Sequence, residues 1–116
     1  MVSASDRLDL VFQALSNPAR RSIVERLRAG ECNLTELAAP LRMTFPAASK
    51  HVRVLERARL VKRRVSGREH LCRLEAKPLE EANAFLEAFR ERWEGTFQAL
   101  EGVLEQMKAD PKRRKR

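Results

Sequence analysis

Between Met43 and Val61 the chain reads MTFPAASKHVRVLERARLV, and three of its cations, Lys50, Arg53 and Arg57, follow one another at spacings of three and four residues. On a helix that spacing lays them along one face. A row of ammonium and guanidinium groups on a rigid rod is chemistry for phosphate, where Lys acts as a point charge and Arg as a planar two-pronged donor. Ala48, Val52 and Leu55 fall on the opposite side at the same period, so the segment has one face to bury and one to present. The surrounding charge is uneven. From Arg42 to Arg73 ten Lys or Arg stand against only Glu56 and Glu69, a local +8 equal to the formal net charge of the whole chain. Leu79 to Lys108 carries −4, and the final ADPKRRKR carries +4. Cations gathered on one internal segment and a tail point to a polyanion-binding surface on a scaffold with separate duties, and the plainer reading is a solvated basic face.

Other chemistry is poorly supplied. Cys32 and Cys72 are too few for a disulfide scaffold, and neither lies in a CxxC or Cys/His cluster. A bound metal ion needs three or four converging soft or borderline donors, so no metal site is expected. Cys32, near a helix start, is the one candidate for a lowered thiol pKa and a redox response. Cys72 alternates with exposed positions and is expected to pack under a hairpin, with both thiols structural. His51 flanks the core side of the basic helix, where packing or a backbone bond is expected rather than ligation. Gly-rich phosphate loops, GxSxG and HExxH are all missing, so neither catalysis nor a cofactor is expected. With 116 residues, no run of eighteen apolar residues and a charged start (Asp6, Arg7, Asp9), the chain reads as one cytoplasmic domain without a membrane span or signal peptide.

These cations need elements to hold them. Leu8, Val11, Phe12 and Leu15 recur at helical spacing and give a first helix with one buried stripe. Asn17-Pro18 reads as an N-cap followed by Pro at the first helical position, opening a second helix with Ile23, Val24 and Leu27 inward, which Gly30 ends as a left-handed stop. Leu34, Leu37, Ala38 and Leu41 predict a short third helix capped by Asn33, shortened or distorted by Pro40. The basic helix is the fourth, with Thr44 as N-cap and Pro46 in its first turn. Two consecutive helices on a tight link, the second basic on its outer face, make a helix-turn-helix. In LVKRRVSGREHLCRL the period changes to two: Val61, Arg63 and Val65, then His70, Cys72 and Leu74, share one phase about Ser66-Gly67. That predicts a hairpin with Arg64 and Arg68 near its tip, a wing. After Pro78, Leu79, Leu86, Trp93, Leu100 and Met107 fall every seven residues, with Ala82, Phe89, Thr96 and Val103 as the matching column and Phe85, Phe97 and Leu104 on one flank. About thirty residues make a helix of roughly 45 Å, longer than a small domain covers. Part is expected to pack on the domain and part to meet the same helix of a second chain. The organisation is therefore residues 1–78 as the winged helix-turn-helix domain, 79–108 as a dimerisation helix and 109–116 as a disordered basic tail, either adding phosphate attraction or serving solubility alone.

With these parts in order, the stretches ALSNPARRSIVERLRAGE, LTELAAPLRMTFPAASKHVRVLERARLV and VKRRVSGREHLCRL resemble the ArsR/SmtB family of winged-helix transcriptional repressors over about residues 8–75. The Trp-bearing last helix resembles a metal-independent branch. The fold class is mainly α with a small β-hairpin, in the order α-α-α-α-β-β-α. The resemblance implies a homodimer held by the first and last helices, which draws Leu8, Phe12, Leu86, Phe89, Trp93 and Leu100 into the interface. It also implies a fourth helix in the major groove and wings on the flanking backbone or minor groove. Thr44, Phe45, Ala47 and Ser49 match the start of the family's recognition helix and are candidates for base contact or for placing that helix. Lys50 and Arg53 are long enough for phosphate or a guanine edge, Arg57 lies on the same outer face, and Arg64 and Arg68 would serve phosphate in the wing. Two departures stand out. Arg59 occupies a position where the family has Gly, so the exit from the basic helix either differs or is strained. The Cys-x-Cys of metal-sensing members matches Asn33 and Thr35, with Cys32 one place out of register, and no His follows His70.

The expected function is a sequence-specific repressor binding a palindromic operator in double-stranded DNA as a homodimer, released by a small-molecule or protein effector that the residues do not identify. The competing readings are a non-specific architectural DNA-binding protein, a metal- or thiol-responsive repressor of the same fold, and a protein–protein module built on the long helix.

Overall fold

A computed structural model describes residues 3 to 109, so the basic tail from residue 110 onward lies outside the described residues. The elements run α1 (Ala4–Ala14), α2 (Pro18–Leu27), β1 (Cys32–Asn33), α3 (Leu34–Ala38), a 3-10 turn at Ala39–Leu41, α4 (Phe45–Arg57), β2 (Val61–Ser66), β3 (Glu69–Leu74) and α5 (Lys77–Ala109). The chain divides into two compact units between Ala82 and Asn83, inside α5.

Side-chain caps start helices α1 to α4. Ser3 and Asp6 form a reciprocal capping box at α1. Asn17 accepts from the N–H groups of Ala19 and Arg20, with Pro18 at the first position of α2. Asn33 caps α3, and Pro40 sits in the 3-10 turn that replaces its continuation. Thr44 Oγ accepts from Ala47 N–H at 3.3 Å to open α4. Gly30 does take positive φ after α2, at +132°, outside the left-handed helical well its stop was expected to use.

The stops around α4 are more telling. Arg59 takes φ +60°, so the exit from α4 is left-handed without glycine's freedom. Its N–H donates to Glu56 O and Leu60 N–H donates to Leu55 O, both at 2.9 Å, the paired bonds of a Schellman stop. Leu55 and Leu60, both fully buried, supply the apolar contact that accompanies this stop. Before α4, Arg42 at φ +54° makes the equivalent turn, with Met43 N–H reaching Ala38 O.

The sheet is antiparallel in the order β1-β3-β2. The hairpin register pairs Val61 with Leu74, Arg63 with Cys72 and Val65 with His70. Ser66 pairs with Glu69, so the two-residue turn is Gly67-Arg68, one position later than Ser66-Gly67, and Gly67 supplies the positive φ the turn demands. A third strand joins the hairpin: β1, only two residues long, sets Cys32 opposite Cys72. Helices and sheet close over one core containing Val11, Ile23, Leu34, Val52, Leu55, Leu60 and Cys72, with Ala82 and Leu79 bringing the first turns of α5 onto it.

Both thiols are buried and free. The lowered pKa entertained for Cys32 is corrected: burial raises it, and the contact from its Sγ to Glu36 Oε2 at 3.3 Å adds to the rise, while Arg26 opposes it. Burial pushes Cys72 up further, from 9.0 to about 11, against the opposing pull of Arg63.

In the second unit α5 continues as a single helix with Leu86, Phe89, Trp93, Phe97, Leu100, Val103, Leu104 and Met107 all exposed. Phe89 stacks on Trp93 with ring centroids 6.1 Å apart.

Two stability measurements follow. Replacing Arg59 by Gly removes the left-handed cost, and the urea midpoint should rise by the equivalent of up to about 1 kcal/mol; a fall would mean the arginine side chain contributes more than its backbone loses. Cys72 stays protonated in the folded chain well above the pH at which it ionises when unfolded. Its contribution is therefore complete below pH 9.0 and is lost as pH rises towards about 11. The urea midpoint of the parent chain should drop more steeply over that interval than that of Cys72→Ala, and parallel slopes would contradict the assignment.

Candidate nucleic-acid interface

Helix α4 delivers the cationic face. Ala48, Val52 and Leu55 have no exposed surface, which fixes the roll of the helix on the core. Lys50, Arg53 and Arg57 are therefore turned outward and exposed, and none forms an ion pair or side-chain hydrogen bond among the described residues. Arg68, in the hairpin turn, is also exposed and without such a partner among them. Arg64 differs: its Nη2 lies 3.3 Å from Glu31 Oε1 in an exposed pair, the kind whose net worth in water is small.

The four residues at the start of α4 are engaged within the molecule. Thr44 is the N-cap, and Ala47 supplies the N–H it accepts. Phe45 sets its ring edge-on against His70 of β3, with centroids 5.1 Å apart at 82°. Ser49 accepts through both its hydroxyl and its carbonyl oxygen from Arg63 of β2. Thr44, Phe45 and Ser49 thus position the helix start, whatever else they touch.

Arg63 is the residue that counting charges misses. Its side chain is only 11% exposed, in the middle of the most basic stretch of the chain. Nε and Nη2 donate to Glu56 Oε1 at 3.1 and 2.7 Å. Nη1 donates to Ser49 Oγ at 2.8 Å, and Nη2 to Ser49 O at 3.1 Å. Nη1 also lies 3.3 Å from His70 Nδ1. The period-two alternation already turned Arg63 to the same side as Val61 and Val65; what meets it there is a matter of tertiary packing.

Of the residues expected at a dimer interface, Leu8 is half-buried against the core of the first unit. Phe12 is exposed, as are Leu86, Phe89, Trp93 and Leu100 in the second unit. Among the described residues no group of three or more His, Cys, Asp or Glu is arranged to hold a metal ion, and no helix is long and apolar enough to cross a membrane.

Comparison with known proteins agrees with this geometry. Residues 15–64, from the end of α1 into β2, match a family model described as a helix-turn-helix domain. The chain is 40% identical over 81 residues to the HTH-type transcriptional regulator Rv2034 of Mycobacterium tuberculosis, covering 70% of this chain and 76% of that protein. Over 51 residues it is 31% identical to the transcriptional repressor SdpR of Bacillus subtilis, covering 44% of this chain and 57% of that one. Among solved structures, an ArsR family transcriptional regulator superimposes with a TM-score of 0.73 at 34% identity, over 81% of this chain and 97% of the other. A possible transcriptional regulator for arsenical resistance gives 0.61 at 35% identity, over 66% and 80%. With 40% identity to a helix-turn-helix regulator over most of both chains and a TM-score of 0.73 to an ArsR family regulator, the chain belongs to the ArsR family of winged helix-turn-helix transcriptional regulators.

Proposed function

We propose that the protein is a repressor that binds a palindromic operator as a homodimer, with α4 entering the major groove and the hairpin meeting the adjoining backbone. The observation that carries this reading is the exposed cationic face of α4, unpaired among the described residues and held opposite a fully buried one. Lys50, Arg53 and Arg57 supply phosphate and base-edge donors, and Arg53 is long enough to fork onto a guanine. Arg68 neutralises phosphate beside the groove, and Arg64 can exchange Glu31 for phosphate because both are in water. A protein of this kind works beside the chromosome, in the cytoplasm.

The homodimer is supported by the exposed heptad stripe of α5 from Leu86 to Met107, an apolar seam of coiled-coil spacing. In this arrangement Trp93 and Leu100 meet their counterparts, and Leu86 and Phe89 continue the seam. Two copies related by a two-fold axis would present their α4 helices to half-sites about one turn of DNA apart.

Selection of bound duplexes from a random pool tests the proposal. It should return inverted repeats with half-site centres about 10 base pairs apart, and recovery of unrelated sequences in proportion to the pool would contradict it. Arg53→Ala should cost about 1–3 kcal/mol of affinity for the selected duplex and relax preference at one position in each half-site. Arg68→Ala should weaken selected and scrambled duplexes alike and lower the salt slope by about one. Trp93→Glu should sediment as a monomer at micromolar concentration where the parent chain is a dimer; an unchanged dimer would remove α5 from the interface.

A further inference from the structure

The geometry points to Arg63 as the positioning residue that fixes the wing to the recognition helix and so sets how sharply the protein discriminates between DNA sequences. This inference rests on the DNA-binding reading above and adds a residue that reading does not use. Arg63 belongs to β2, yet every hydrogen bond its guanidinium donates to oxygen ends on α4, at the Ser49 hydroxyl, the Ser49 carbonyl and the Glu56 carboxylate. Ser49 and Glu56 lie two turns apart along that helix, so a single planar group grips it at two heights. The third neighbour, His70, links the grip to β3 and carries Phe45 at the first turn of the helix. Hairpin and helix are therefore tied at the start, middle and end of α4 through one cation and one ring.

Three features separate this cation from those around it. Its side chain is 11% exposed, whereas those of Arg64 and Lys62 on the same strand are 65% and 66% exposed. It has no donor left over for a phosphate once Glu56, Ser49 and His70 are served. It also consumes Glu56, the one acid on the basic helix, so the outer face of α4 keeps its positive charge undiluted. Groups that read a base edge must arrive within a fraction of an ångström of their acceptors, whereas cations attracted to phosphate tolerate several. Loosening the grip should therefore degrade discrimination while leaving general attraction to DNA in place.

Arg63→Lys separates the two quantities, because it keeps the charge and loses the fork. Affinities of the parent and variant are measured against the duplex recovered by the parent from a random pool and against a scrambled duplex, at several salt concentrations, with a thermal melt of each protein. The expected result is a loss on the order of tenfold in affinity for the recovered duplex. Affinity for the scrambled duplex and the salt slope should stay as in the parent. Glu56→Gln, which leaves Arg63 in place, should shift the ratio in the same direction, and the double variant should lose less than the two single losses combined. An unchanged ratio in Arg63→Lys, or equal losses on both duplexes, overturns the assignment. So does Arg63→Lys failing to fold while Glu56→Gln folds and keeps the parent's ratio. If the parent itself prefers no sequence, the regulator reading fails and this inference fails with it; a discriminating parent beside an unaffected variant sinks the inference alone.

Discussion

Helix α4 is asked to do two opposed things within thirteen residues. One side must be apolar enough to lock its roll, and the other must stay cationic without neutralisation. Ala48, Val52 and Leu55 satisfy the first demand with no exposed surface. The second carries a cost, since like charges three and four apart on a helix repel by about 0.2–0.5 kcal/mol per pair. The nearby carboxylate that would relieve Lys50, Arg53 and Arg57 is Glu56, and it is held by Arg63 instead. A face kept electrostatically unsatisfied inside a fold that satisfies its polar groups elsewhere is what binding to a polyanion requires. Among the described residues no buried side-chain nitrogen or oxygen is left without a partner.

The same helix is bounded at both ends by turns that place an arginine, not a glycine, in the left-handed region. Arg42 and Arg59 hold φ +54° and +60°, and the second is secured by Leu55 and Leu60 packing beneath the turn. Burial of two leucines outweighs a backbone cost of about 1 kcal/mol. The stop is thus preserved although the residue best suited to it is absent.

Much of this was legible in the sequence because it depends on local spacing. The Asn17-Pro18 and Thr44 helix starts, the apolar stripe of α4 and the phase of the two hairpin strands are all local patterns. Three features were not legible. Strand β1 is two residues long, too short to carry a period, and exists only because Cys32 and Asn33 run past β3. The hairpin turn lies at Gly67-Arg68 because register depends on which pairs bond across the strands, and Ser66 pairs with Glu69. Arg63 counted as one more cation in a basic run; its burial and its partners seven and fourteen residues upstream come from the packing of sheet on helix. The start of α4 carried a double meaning, since the small and aromatic residues read as contacts with an outside partner also build the helix start and its junction with the wing.

Of the two units, the first owns a closed core and the cationic surface, and the described residues of the second form one helix with a run of exposed large apolar side chains. This division of labour fits a protein in which one part reads a ligand and another brings two readers together. The claim on which the account turns is that the outer face of α4 is what meets DNA, and amide chemical shifts of the uniformly nitrogen-15-labelled protein, recorded while a duplex selected by the protein is titrated in, test it residue by residue. The account predicts the largest shifts along residues 47–57, with a second group at residues 64–68. Shifts confined to α5 beyond Ala82, with α4 unmoved at saturation, would contradict it.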